Sequence, residues 1–199
     1  MCHIPFCNPT FISTLIDLDA REASRFKLKG CSEPDCPGKL HVANYKRKPK
    51  GFGGEKIPGL DQRLSFCCSE EGCRKRHTPA SVCFLGRRVY LGVVVVLACA
   101  LEQGLTAFRE KQLAGLNISR QVLHAWITWW REVFTKTNLW KTLKANFISI
   151  PVSNIPLDPM TALAGETLSE QLIAWLTQLK PISMTPMMRV RVEKVTQSF

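Results

Sequence analysis

Acidic residues are scarce in this 199-residue chain: sixteen Asp and Glu stand against twenty-seven Lys and Arg, a net charge of +11. The deficit is uneven. Residues 1–145 carry 23 basic and 12 acidic side chains, whereas residues 146–199 carry four of each. A basic body with a neutral C-terminal segment points to a polyanionic partner for the body. Long apolar runs are missing too. The longest, residues 89–101, has thirteen residues, against roughly 20 for a bilayer span. Gly92 within it and Glu102 after it favour a buried helix over a membrane segment. The N-terminal stretch MCHIPFCNPTFISTLIDLD has no basic leader and no continuous apolar core before a cleavage site. A reducing, cytoplasmic setting is therefore expected.

Catalytic signatures are also lacking. Gly51-Phe-Gly-Gly54 has no following Lys-Ser/Thr, so it is not a phosphate loop. The deaminase pattern H-x-E with P-C-x-x-C is absent. His3, His41, His77 and His124 sit in unrelated contexts. A nuclease or transposase core brings two or three carboxylates together on a sheet domain to hold two metal ions. After residue 145 only Asp158, Glu166, Glu170 and Glu193 remain, without a strand pattern. The expectation is a non-enzyme. Hydrophobic residues at 45% are ordinary for a globular chain of one domain or two small ones.

Cysteine, by contrast, is abundant, with nine residues. In a reducing compartment, paired cysteines more often hold metal than each other. Cys31 with Cys36 and Cys68 with Cys73 form two C-x4-C units, both reading C-S-E-x-x-C, with thirty-one residues between them. Two tight turns giving two thiolates each make a tetrahedral Zn2+ site. Pro34, Pro37, Gly38 and Gly72 supply turn residues. Zinc would also compensate for a segment poor in aliphatic residues. Cys67 could replace Cys68, and His41 and His77 are spare ligands. The competing reading is buried free thiols or disulfides, and buried thiols suit Cys83 and Cys99. Cys2 and Cys7 lack a partner motif. Four thiolates leave no open position for catalysis.

The pattern along the chain is α+β. Residues 10–27 read as an amphipathic helix. Residues 39–45 and 63–67 alternate like two strands of a hairpin, joined by a long, flexible connection, KRKPKGFGGEKIPGLDQ. Together with the cysteine units this is the layout of a zinc ribbon. From residue 90 to 140 three helices are expected. Leu105, Phe108, Leu113 and Leu116 suggest a short helix, Asn117 a turn and Ser119 the N-cap of a second helix. Ile118, Leu123 and Trp126 then face inward, as in a helix-turn-helix, although many helical hairpins unrelated to DNA share the spacing. Trp126, Trp129, Trp130 and Trp140 read as core. Further on, Thr167 and Glu170 form a capping box for a helix over 167–179 with a Leu168, Leu172, Leu176, Leu179 stripe. That stripe needs a surface on the chain or on a second subunit. Pro181 ends the helix, and a loose tail is expected from 184 to 199. The expected organisation is a lead-in (1–30), a ribbon with a basic arm (31–83), a helical domain (84–146), and a proline-spaced segment with the last helix (147–199).

Cations cluster three times. Lys46, Arg47, Lys48 and Lys50 lie on the glycine-rich arm, Arg74, Lys75 and Arg76 follow the second cysteine unit, and Arg87 and Arg88 precede the helices. Residues 21–88 carry 16 basic and 7 acidic side chains. Such an arm suits phosphate contacts, although any one run can be a solvated loop. On the candidate recognition helix the outward residues are Arg120, Gln121, His124, Ala125 and Thr128, with Arg131 further along. Arg and Gln can read purine edges in the major groove.

Cys36-Pro-Gly-Lys-Leu-His-Val-Ala-Asn-Tyr-Lys-Arg-Lys-Pro-Lys-Gly, Arg63-Leu-Ser-Phe-Cys-Cys and Cys73-Arg-Lys-Arg followed by Thr78-Pro-Ala-Ser-Val resemble a bacterial family associated with insertion sequences. The resemblance covers about residues 25–135 and is clearest over 31–90. It implies a zinc ribbon followed by a helix-turn-helix, similar to the DNA-recognition parts of transposases, with Cys31, Cys36, Cys68 and Cys73 as ligands and duplex DNA as partner. The first cysteine unit departs from the commoner C-P-x-C-G form. The expected function is a zinc-stapled DNA-binding protein, an accessory of a mobile element or a regulator, with a homodimer or a transposase as possible company. The rivals are an RNA- or ribosome-associated zinc protein and a structural protein that docks through its C-terminal helix.

Overall fold

The computed structural model describes residues 9–50, 58–86, 90–104, 118–147 and 153–184. Within them the chain is α+β, with six α-helices and two small antiparallel sheets.

Helix α1 (Pro9–Leu28) realises the amphipathic pattern over 10–27. Its early residues Phe11, Ile12 and Leu15 are buried in the main core. Ala23, with half-buried Phe26, joins Leu40 and Phe66 in a second, small core. One helix therefore serves both. Gly30 terminates it at φ +76, a left-handed conformation that costs glycine nothing.

The expected hairpin is present. Strands β1 (Leu40–Val42) and β2 (Tyr45–Lys46) run antiparallel to β4 (Phe66–Cys68) and β3 (Gln62–Arg63). The pairs Leu40–Cys68, Val42–Phe66 and Tyr45–Arg63 share one register. Between the two sections the Ala43 N–H still donates to the Ser65 carbonyl (2.8 Å). At the next position the Ser65 N–H turns to the Asn44 side chain (3.0 Å). A third strand, β5 (Arg76–His77), pairs with the other edge of β4. The sequence did not announce it, because two residues show no alternation.

The connection between the strands is anchored rather than flexible where it is described. Leu60 is 1% exposed, Gly59 sits at φ +88 against Ile16, and Lys50 bridges Tyr90. Residues 51–57 lie outside the described part.

Helix α2 (Gly92–Glu102) is the centre of the main core, with every residue from Gly92 to Leu101 buried. Four consecutive valines, Val93–Val96, are poor helix formers, so burial sets the conformation. At about 16 Å it is short, and no helix among the described residues is long and apolar enough to cross a membrane. A Cβ at Gly92 would stand 3.1 Å from Leu85 and 3.2 Å from Leu176, so glycine lets the last helix close onto α2.

Around α2 pack α3 (Arg120–Glu132), α4 (Asn138–Lys144), α5 (Leu157–Thr161) and α6 (Leu168–Leu179). The tryptophans are core, as expected: Trp130 meets Phe134 edge-on at 4.8 Å, and Phe134 also contacts Trp140 and Trp175. Both halves of the Thr167–Glu170 capping box form on α6. Leu172, Trp175, Leu176 and Leu179 are fully buried in the chain's own core. Leu168 is half-buried against the same core, so the expected stripe packs within the chain. Beyond Pro181 the chain stays ordered as a 3-10 turn to Met184, held by an Ser81 N–H bond to Ser183 (2.8 Å) and a Lys180–Glu22 ion pair. Residues 185–199 lie outside the described part.

Candidate metal centre and basic face

The two C-S-E-x-x-C units share their main backbone hydrogen bonds. The Cys31 N–H donates to the Gly38 carbonyl and the Cys68 N–H to the Lys75 carbonyl, at 3.1 and 3.0 Å. Cys36 donates to Glu33 and Cys73 to Glu70, at 3.3 and 3.0 Å. The repeat in sequence is thus a repeat in structure. The units differ in where the backbone turns left-handed, at Asp35 (φ +58) before the second cysteine of the first unit and at Arg74 (φ +44) after that of the second. The units are tied together by the Lys75–Glu33 ion pair and by reciprocal bonds between Lys39 and Ser69.

This brings Cys31, Cys36, Cys68 and Cys73 together, with all four sulfurs within 4.8 Å of one another. Cys31 and Cys73 are 3.7 Å apart, Cys36 and Cys68 3.6 Å. A tetrahedral thiolate site with metal–sulfur bonds of about 2.3 Å has sulfur–sulfur edges of about 3.8 Å, so the residues fit a metal ion. The surroundings fit as well. A Cβ on Gly38 would stand 2.2 Å from Cys68 Sγ and 3.3 Å from Cys36 Sγ, so only glycine leaves room for the sulfurs.

Each thiol receives the backbone N–H of the residue two further on: Glu33, Gly38, Glu70 and Lys75 in turn. These bonds are the largest influence on each thiol and favour the thiolate. Desolvation opposes them at every thiol, whereas the neighbouring sulfurs act both ways, favouring the thiolate at Cys73 and mostly disfavouring it at the other three. The balance holds Cys73 below the ordinary thiol value and leaves Cys31, Cys36 and Cys68 above it. Four crowded sulfurs do not all ionise without a cation, and a divalent ion supplies that charge.

The alternatives resolve clearly. Cys67 points away and donates to the Arg74 carbonyl at 3.3 Å, so Cys68 is the tetrad member. His41 is exposed, opposite Cys67. His77 lies beside Cys31 but outside the four-sulfur group. Cys83 and Cys99 are core, 2% and 0% exposed. The sequence missed one buried polar node: Asp19 accepts from the Ser81 hydroxyl and from the Val82 N–H (2.7 Å).

Of the basic arm, Lys46, Lys48 and Lys50 are exposed, whereas Arg47 is half-buried with its guanidinium 5.2 Å over the Phe84 ring. Arg74, Lys75 and Arg76 are exposed. Arg76 donates to the Ala43 carbonyl (2.7 Å) and covers Tyr45. On α3, Ser119 caps the helix by accepting from the Val122 N–H. Leu123 and Trp126 face inward, Ile118 is half-buried, Arg120, Gln121, His124, Ala125 and Arg131 are exposed, and Thr128 is half-buried. The helix expected over 105–116 lies outside the described residues, as do Cys2, Cys7, Arg87 and Arg88. Two contacts relate arm to helix: Lys50 bridges Tyr90, and the Tyr90 ring meets Trp126 edge-on at 4.9 Å.

No family model matches the chain, and neither the curated proteins nor the solved structures give a match. Function is therefore read from the site itself.

Proposed function

We propose that Cys31, Cys36, Cys68 and Cys73 hold one zinc ion and that the chain is a non-enzymatic, zinc-stapled protein that binds duplex DNA. Thiolate donors at this spacing suit zinc, and a closed four-sulfur shell makes the ion structural. The observation that carries the DNA reading is the path from Lys50 through Tyr90 to Trp126. It links Lys50 of the arm to the inner side of the helix whose outer residues are Arg120, Gln121 and His124. The arm supplies phosphate contacts and the helix reads base edges as the second helix of a helix-turn-helix. An accessory or recognition role in a bacterial mobile element, or a regulatory one, follows from the family resemblance.

Titration of labelled duplexes by the zinc-loaded protein tests this. With about 6 phosphate contacts, raising salt from about 50 to about 200 mM weakens binding roughly a thousandfold. Replacing Lys46, Lys48 and Lys50 by alanine weakens all sequences alike and flattens the salt slope. Arg120→Ala and Gln121→Ala instead relax sequence preference, by about 1–3 kcal/mol on the best site. Tighter binding to folded RNA than to any duplex would replace this reading with the RNA one.

A further inference from the structure

We infer that His77 is an outer hydrogen-bond donor of the metal centre, its Nε2–H holding the Cys31 sulfur in place. The inference rests on the four cysteines binding metal. His77 Nε2 lies 3.2 Å from Cys31 Sγ, and Nδ1 lies 3.1 Å from Ser32 Oγ. The ring is 8% exposed. It sits on β5 opposite Phe66 and is tilted against Phe26 of α1 at 6.3 Å, so packing fixes its plane.

The chemistry of the partner sets the direction of the bond. A metal-bound thiolate carries no proton and can only accept. Nε2 must therefore carry a hydrogen toward Cys31, while the Ser32 hydroxyl, able to donate or accept, holds the other end of the ring at Nδ1. Cys31 then receives two donors, the Glu33 N–H and this imidazole. Four thiolates around a divalent ion leave an excess of negative charge, and a directed N–H spreads part of it onto the ring. Outer partners of this kind typically change metal affinity 10–100-fold. His77 is a positioning residue here, since it stands outside the four-sulfur group.

The test compares the full chain with His77→Phe and His77→Gln, in a zinc competition against a chromophoric chelator. His77→Phe keeps an aromatic ring against Phe26 and loses the donor, and about a 10–100-fold loss of affinity is expected. His77→Gln restores an N–H and recovers part of it. Nitrogen-15 spectra of the zinc-loaded wild-type chain report directly whether Nε2 carries a hydrogen, as expected. Affinity of His77→Phe within twofold of wild type, equal losses in both variants, or an Nε2 without a hydrogen would each overturn the inference. A wild-type chain that binds no zinc defeats the metal reading itself, a separate outcome.

Discussion

One methyl group at Gly38 is expected to break the metal centre without touching a ligand. The Cβ of an alanine there would stand 2.2 Å from Cys68 Sγ, where ordinary contacts begin at 3.4 Å. The sulfur would have to retreat by more than 1 Å, whereas metal–ligand distances vary by only about 0.2 Å. Cys68 therefore leaves the site. Structural zinc sites are worth about 10–16 kcal/mol. An equal share per thiolate is about 3 kcal/mol, roughly a hundredfold in affinity. The backbone at Gly38 does not require positive φ, and the other close neighbour, the Cβ of Glu70, stands at 3.1 Å, so the cost falls chiefly on the Cys68 sulfur. Gly72→Ala, in the other cysteine unit, meets nothing within 4 Å and serves as the control. Chelator competition on both variants, with circular dichroism to follow folding, reads the effect. If Gly38→Ala held zinc as tightly as wild type, the four sulfurs could not be the site.

Cys68→Ser should abolish stoichiometric zinc in elemental analysis while Cys67→Ser keeps it, because the Cys67 thiol is engaged with the Arg74 carbonyl. Leu176→Ala should destabilise the fold by about 2–5 kcal/mol, equally at every protein concentration, since this buried side chain packs on α2 of its own chain; a concentration-dependent loss would mean contact between chains. Burial pushes the Asp19 carboxyl above its ordinary value, against the bonds from Ser81 and Val82. The unfolded chain then releases the proton first, so stability falls as pH rises through the raised folded value. Asp19→Asn should flatten that fall in melting temperature from about pH 4 upward, and an unchanged profile would place the titration elsewhere.

Elements with a period or a cap were legible before any coordinates. Helix α1 follows its apolar spacing, α3 begins at Ser119, and α6 begins at the Thr167–Glu170 box. Strand β5 was not legible, because two residues carry no period and His77 looked only like a spare ligand. The fold of the connection was hidden for another reason. Its composition reads as flexible, yet Leu60 and the stacking of Arg47 on Phe84 are decided by partners distant in sequence. The same holds for Asp19 and Ser81, sixty-two positions apart.

The cysteine site was the most legible part, because its logic is local and stated twice. Equal C-S-E-x-x-C units fold with equal hydrogen bonds, so aligning the units already favours Cys68 over Cys67. Strand parity gives the same answer. Phe66 and Cys68 share the buried face of β4, and Cys67 faces the other way. His77 follows from that parity one strand further on, since it pairs with Phe66 across the sheet and shares its inner face. The inner face of the sheet thus carries Cys68 and His77 as well as the small core of Leu40, Phe66 and Ala23, against which α1 lies. Because α1 continues into the main core through Leu15, Ile12 and Phe11, ordering the cysteine units around a metal also orders one end of the helix that the helical body needs. A metal bound there would therefore act beyond its own loop, through α1, by ordering a core too small to stand alone against the larger one that the same helix enters.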